Sequence, residues 1–159
     1  MSWRFYRCLE NSFKDFLDTE ITSDNITDID GNLINVEVGR KEDSFSLPCI
    51  RGYFDSETSE RLEIGSNNRF ETYTFIIEIY ATNEGERLDL AKWVKDTINN
   101  GFRYYDYAYN VSNPESPTKT EGNWVHVDFL TNTRVALGEN VDEIDAHRHR
   151  ISVSLFMTK

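Results

Sequence analysis

The hydrophobic positions fall first in the spacing of a helix. Phe5, Leu9, Phe13, Phe16 and Leu17 recur at steps of three and four, which predicts a helix over 2–19 with one aromatic stripe for a sheet to cover. Ser2 suits its N-cap, and residues 18–30 dissolve the pattern into polar turn chemistry ending at Asp30-Gly31. The period then changes to two. Residues 33–38 alternate apolar and polar, and 47–54 reads as a second strand with Pro48 at its start or on an edge. The polar stretch 55–69, rich in Glu and Arg, is expected as a loop or a twisted hairpin excursion. Residues 70–81 form the clearest strand: Phe75, Ile77 and Ile79 on one face, Ile76, Glu78 and Tyr80 on the other.

Asn83 opens a second helix over 83–100. Glu86 completes a box-like cap, Leu90, Ala91, Val94 and Ile98 line one face, and Gly101 is the stop. An aromatic strand follows at 102–109. The Pro-, Ser- and Thr-containing stretch 110–123 is expected as a flexible loop. A long strand over 124–137, an acidic connection over 138–145 and a last strand over 147–157 complete the chain. The pattern contains no internal repeat and no second domain. It predicts one α+β domain: a mixed or antiparallel sheet of about five or six strands, with an N-terminal helix and a central helix packed on one side.

Composition narrows the function classes. A chain of 159 residues is long enough to bury a core without staples, and 13% aromatics support one despite a mean hydropathy of -0.59. The net charge of -11 argues against tight binding to a phosphate backbone. An acidic wall would instead repel DNA that slides past it. Cys8 and Cys49 show no metal spacing; the pair admits one disulfide, but two buried or half-buried thiols suit a cytosolic product better. No secretory leader pattern and no apolar run of membrane-spanning length is present, so the product is expected to be soluble and made in the cytoplasm.

The stretch 127–153 carries the most specific charge pattern. Asp142, Glu143 and Asp145 run directly into His147, Arg148, His149 and Arg150. On a strand His147 and His149 share one side and the two arginines the other. A metal-dependent hydrolase would use His147 and His149 with Asp145 and His126. Against it stands the simpler reading of alternating polar residues on an exposed strand face. No Walker A loop, strand-borne GxGxxG, GxSxG elbow or nuclease carboxylate triplet is present. Tyr104, Tyr105, Tyr107 and Tyr109 lack the basic groove of a single-strand binder and fit a core or a subunit interface. Segregated charge also suits head-to-tail contacts, in which the acidic loop of one copy meets the basic strand face of the next. Pairing of Asp145 with Arg148 inside one hairpin is the equal alternative.

Residues 50–69, from Ile50-Arg51-Gly52-Tyr53-Phe54 to Asn67-Asn68-Arg69, together with 127–153, resemble virion proteins of tailed bacteriophages. The nearest group is the tail terminator or tail-completion family of the neck, and the resemblance extends loosely over 3–157. It implies a mixed sheet flanked by helices and a homo-oligomeric ring, commonly a hexamer. Such a ring would cap the tail tube, end its polymerisation and offer a docking surface to head connector proteins, with DNA passing through the lumen. It further implies a virion location, no enzymatic role and no cofactor. A head-completion or stopper protein of the same neck is the alternative, with a metal-dependent phage hydrolase or nuclease behind it. The contacts expected on this reading lie in the charged loops 39–44 and 55–69 and in 138–150. The residues singled out are Arg61, Glu63, Arg69, Asp142, Glu143, Asp145, Arg148 and Arg150.

Overall fold

The computed structural model describes residues 4–39, 46–61, 69–110, 113–134 and 146–157. Its elements are α1 (Phe5–Asp24), β1 (Asn35–Val38), β2 (Cys49–Arg61), β3 (Arg69–Tyr80), α2 (Glu84–Ile98), β4 (Phe102–Asn110), β5 (Asn113–Arg134) and β6 (Arg148–Met157). The strands make one sheet in the order β1-β2-β3-β6-β5-β4. β1 and β2 are parallel and every other pair is antiparallel. The expected α+β domain, with a mixed sheet, an N-terminal helix and a central helix, is what the chain forms.

α1 runs five residues further than the pattern over 2–19 suggests, because Ile21 continues the stripe of Phe5, Leu9, Phe13 and Leu17 and is itself buried. Asn25 then turns into the left-handed region at φ 52, and Ile26 N–H returns to the Ile21 carbonyl at 3.0 Å. That is the usual way to stop a helix with Asn in place of Gly. Ser2 lies outside the described residues. α2 begins as its sequence signals: Asn83 Oδ1 accepts from Glu86 N–H at 2.9 Å, and Glu86 reaches back to Thr82 N–H at 2.7 Å. The start carries acids Glu84 and Glu86, which suits the positive end of the helix dipole.

Both helices cover the same face. Phe13 packs on Phe75 with ring centroids 4.9 Å apart, and Arg87 reaches His149. Phe75 and His149 share that face through the register Phe75↔Val153, Ile77↔Ile151 and Ile79↔His149. Between the layers lie Leu9, Phe13 and Leu17 of α1, Leu90, Val94 and Ile98 of α2, and Phe75, Ile77, Phe102, Val125 and Val153 of the sheet. Each such side chain taken from water contributes about 1.5–3 kcal/mol before its entropy is counted.

The largest departure from expectation is at 110–123, where a strand replaces the loop. β5 starts at Asn113 and pairs with β4 back to Val125, although the segment contains Pro114 and Pro117. β5 meets β6 only from Val125↔Met157 onward, so among the described residues its first half pairs on one side alone. A strand with an open edge tolerates proline, which explains why turn composition misleads here. The stretch 55–69 takes the hairpin alternative: β2 and β3 pair out to Arg61↔Arg69, while β3 meets β6 only from Tyr73↔Leu155. Two hairpin arms, β2–β3 and β4–β5, thus project past the end of β6.

α1 also stitches two irregular points of the sheet. The register of β2 shifts between Phe54 and Ser56, and Glu10 accepts from Phe54 N–H at 2.9 Å. That of β4 shifts between Arg103 and Tyr105, and Ser12 Oγ accepts from Tyr105 N–H at 2.8 Å while donating to the Cys8 carbonyl at 2.7 Å. One helix therefore satisfies the backbone at two of the register shifts, one on each side of the sheet.

Candidate functional site

On the face away from the helices, the centre of the sheet buries charge between the hydrophobic side chains of Ile76 and Tyr80. Glu78 is 2% exposed and stands opposite Arg51 on β2 and Arg150 on β6. Its Oε1 accepts from Arg150 Nη2 at 2.7 Å and Nε at 3.1 Å and also from Arg148, while Oε2 accepts from the Tyr80 hydroxyl at 2.7 Å. Arg148 lies over the Tyr80 ring at 5.3 Å. Burial alone would push the Glu78 carboxyl up. The hydrogen bonds from Tyr80, Arg150 and Arg148 outweigh it and hold the pKa below the ordinary value of 4.5. Arg51, also buried, places a third guanidinium in the row.

Arg148 and Arg150, expected as partner contacts, thus both reach a carboxylate of their own chain. Asp145, the internal partner that the sequence offers for Arg148, lies outside the described residues, as do Glu63, Asp142 and Glu143. The loop 39–44 does too, apart from Gly39. Arg61 and Arg69 are paired in the backbone register at the end of the β2–β3 arm.

On the helix side, His149 is buried and both ring nitrogens are engaged. Arg87 Nη1 lies 2.6 Å from Nδ1, and Asn132 Oδ1 meets Nε2. A guanidinium can only donate, so Nδ1 is the acceptor and Nε2 carries the proton given to Asn132. Burial and the nearby Arg87 charge hold the His149 pKa below 6.5. Arg87 is itself anchored by Glu84, with contacts of 3.1 and 2.5 Å. His147 Nδ1 lies 3.7 Å from the same carboxylate. His126 sits on the opposite sheet face, stacked on Phe156 at 5.0 Å. The three histidines of the metal reading therefore do not converge, and among the described residues no group of three or more His, Cys, Asp or Glu could hold an ion.

The tyrosines of β4 serve the packing of α1. Tyr107 donates to Asp15 at 2.7 Å, Tyr109 accepts from Asn11 at 2.8 Å, and Phe5 stacks on Tyr104 at 5.4 Å. A cavity of about 250 Å³ beside them is lined by Phe16, Phe102, Tyr105 and Trp124. Its cations are already committed: Lys119 to Asp15 at 2.6 Å and Arg103 to Glu121 at 3.2 Å.

A second concavity, of about 600 Å³, lies between α2 and the turn after α1. Ile26, Ile29, Leu90 and Trp93 form its apolar part, and Asp28, Glu86 and Asp89 its rim. Asp28 organises the turn, its Oδ1 accepting from Asp30 N–H at 2.9 Å and Asn32 N–H at 2.8 Å. These bonds hold its carboxyl below the ordinary value, the one from Asn32 N–H most strongly. Ile29, at the tip of this tied-down turn, is 91% exposed.

Sequence reasoning did not single out Glu78, Arg87 or Ile29. Glu78 carried a signal, being the one charge in a run of buried β residues. Ile29 carried none, because a lone apolar residue in a polar turn has no period.

A comparison with protein-family models gives no match, and a comparison with curated proteins gives none either. Among the described residues no helix is long and apolar enough to cross a membrane.

Proposed function

We propose that the chain is a structural subunit of the neck of a tailed bacteriophage, a tail terminator that assembles into a ring, commonly a hexamer. The ring caps the tail tube, ends its polymerisation and offers its other face to head connector proteins. DNA passes through the lumen without specific binding, in keeping with a net charge of -11. On this reading the chain is no enzyme, needs no cofactor, and is made in the bacterial cytoplasm before joining the virion.

The observation that carries the reading is the β2–β3 arm. Residues 56–60 keep the strand ladder although all are exposed. A long hairpin with no core of its own is a natural surface for another protein to pack on. The likeness of 50–69 and 127–153 to neck proteins adds to it. The buried titratable groups Glu78 and His149 are committed to pairs inside the fold.

Electron microscopy of particles with the chain labelled tests the proposal. The expected result is label at the head-proximal end of the tail, and overlong tail tubes when the chain is missing. Label at the head side of a tail-less head would favour a stopper. Label at the baseplate, or no incorporation, overturns the neck reading altogether.

A further inference from the structure

α1 carries its charges against its own dipole. Arg4 and Arg7 stand at its entry and Asp18, Glu20 and Asp24 at its exit, with no acid in the first turn and no base in the last. A free helix favours the reverse. The exit leads directly into the 600 Å³ concavity described above, where Trp93 Nε1 donates to Asp24 at 2.9 Å. Acids rim this concavity, and among the described residues no Lys or Arg lines it. It therefore combines an unshielded negative rim with an apolar floor and a fully presented isoleucine, on a turn too well bonded to fold it away.

The complementary chemistry sits at the other end of the same helix. Tyr6 is 41% exposed and held rigid by stacking on Phe54 at 4.0 Å and by its bond to Glu57. Arg7, one residue on, is exposed and lies over the Tyr109 ring at 4.8 Å. A rigid aromatic beside a guanidinium is the usual make-up of an interface anchor. Twenty residues of helix separate the ends by about 30 Å, so the two patches cannot meet within one subunit.

We infer that the groove of Ile29, Trp93 and Asp89 receives the Tyr6–Arg7 end of α1 from a second copy of the chain. Different patches meet, so the contact is head-to-tail and can propagate to a ring. Tyr6 packs on the Ile29 side of the groove while Arg7 faces Asp89 and Glu86, and each helix end gains the charge its dipole lacks. The inference rests on the proposal that copies of this chain associate, and it names the surface.

Sedimentation of the full chain over a wide concentration range tests it. The wild type is expected to associate beyond a dimer. Ile29→Ser, Arg7→Glu and Asp89→Lys, all at exposed positions, should each weaken association by about tenfold or more while circular dichroism and melting stay unchanged. Mixing Arg7→Glu with Asp89→Lys should restore it, because each new charge then meets its opposite. A wild type that stays monomeric throughout, association indifferent to all three changes, or a mixture that fails to recover overturns this interface. A monomeric chain that still labels the tail end would sink the interface and leave the neck reading standing. Assembly through Ile29 without particle labelling would do the reverse.

Discussion

Glu78 and Arg150 face each other across β3 and β6, and two guanidinium nitrogens of Arg150, at 2.7 and 3.1 Å, share one oxygen of the Glu78 carboxylate. The same oxygen also receives Arg148, so one buried acid is shared by two bases on the open face of the sheet. Removing the shared member takes this carboxylate from both guanidiniums at once, the costly way to break a buried pair. Glu78→Ala is expected to lose about 3–5 kcal/mol in urea unfolding. Arg150→Ala should lose less, because its side chain is 45% exposed and water can replace it. A Glu78→Ala loss under about 1 kcal/mol would refute a structural role for the cluster. Reversing Arg148 and Arg150 to glutamate would accordingly strain the fold itself and is a poor probe of assembly alone.

The second expectation concerns pH. His149 is neutral in the fold, accepting from Arg87 and donating to Asn132, and its pKa lies below the unfolded 6.5. The unfolded chain thus binds the proton more readily. The contribution is fully present above about pH 6.5 and is lost as pH falls through the folded pKa. Glu78 behaves alike in a lower window, present above 4.5 and lost as its own folded pKa is passed. Thermal melts from pH 8 to 5 should fall for the wild type and flatten for His149→Asn, which removes the titration. Parallel curves for the two proteins would show that His149 is not the group responsible.

Much of this was legible in the chain, for reasons that can be stated residue by residue. Helices and central strands announce themselves because burial imposes a period: Leu9, Phe13 and Leu17, or Phe75, Ile77 and Ile79. The arms do not. Residues 55–60 and 116, 118, 119, 120 and 121 are exposed, so nothing selects an apolar alternation. Pro114 and Pro117 fall where the β4–β5 register shifts, between Ala108↔Thr118 and Asn110↔Asn113, and where among the described residues β5 meets no strand on its other side. The charge block at 147–150 was visible, with its alternation as expected, but its partners were not. Arg148 and Arg150 find Glu78 some seventy residues away, and His149 finds Arg87 on another element. Sequence spacing holds no trace of such pairings until the register of β3 against β6 is known.

Ser12 offers a third test, of how α1 is fastened. Its hydroxyl is buried and accepts the Tyr105 N–H at the first irregular point of β4, while it donates to Cys8 within the helix. Alanine fits the helix at least as well, so propensity alone predicts a gain. The stranded Tyr105 N–H reverses the sign. Ser12→Ala should cost about 1–3 kcal/mol and open the Tyr105 amide to hydrogen exchange ahead of its neighbours in β4. Unchanged protection at Tyr105 would mean that the helix is held by its apolar stripe alone.

The last test addresses how closely α1 lies on the sheet. Gly52 of β2 sits beneath Phe13, and a Cβ at that position would lie 2.2 Å from Phe13 Cε1 and 2.8 Å from Phe75 Cε1. Such distances are far inside contact, so one added methyl must lift the helix or turn both rings from their packing at 4.9 Å. Gly52→Ala is expected to destabilise by about 1–3 kcal/mol, although alanine suits a strand better than glycine does. The clash is with a ring, so shortening that ring should answer it. Phe13→Leu alone loses packing, yet Gly52→Ala with Phe13→Leu should be less destabilised than the two single changes summed, by about 0.5–3 kcal/mol. Strict additivity in this cycle would place the penalty in the strand backbone and would refute the close seat of α1 on β2.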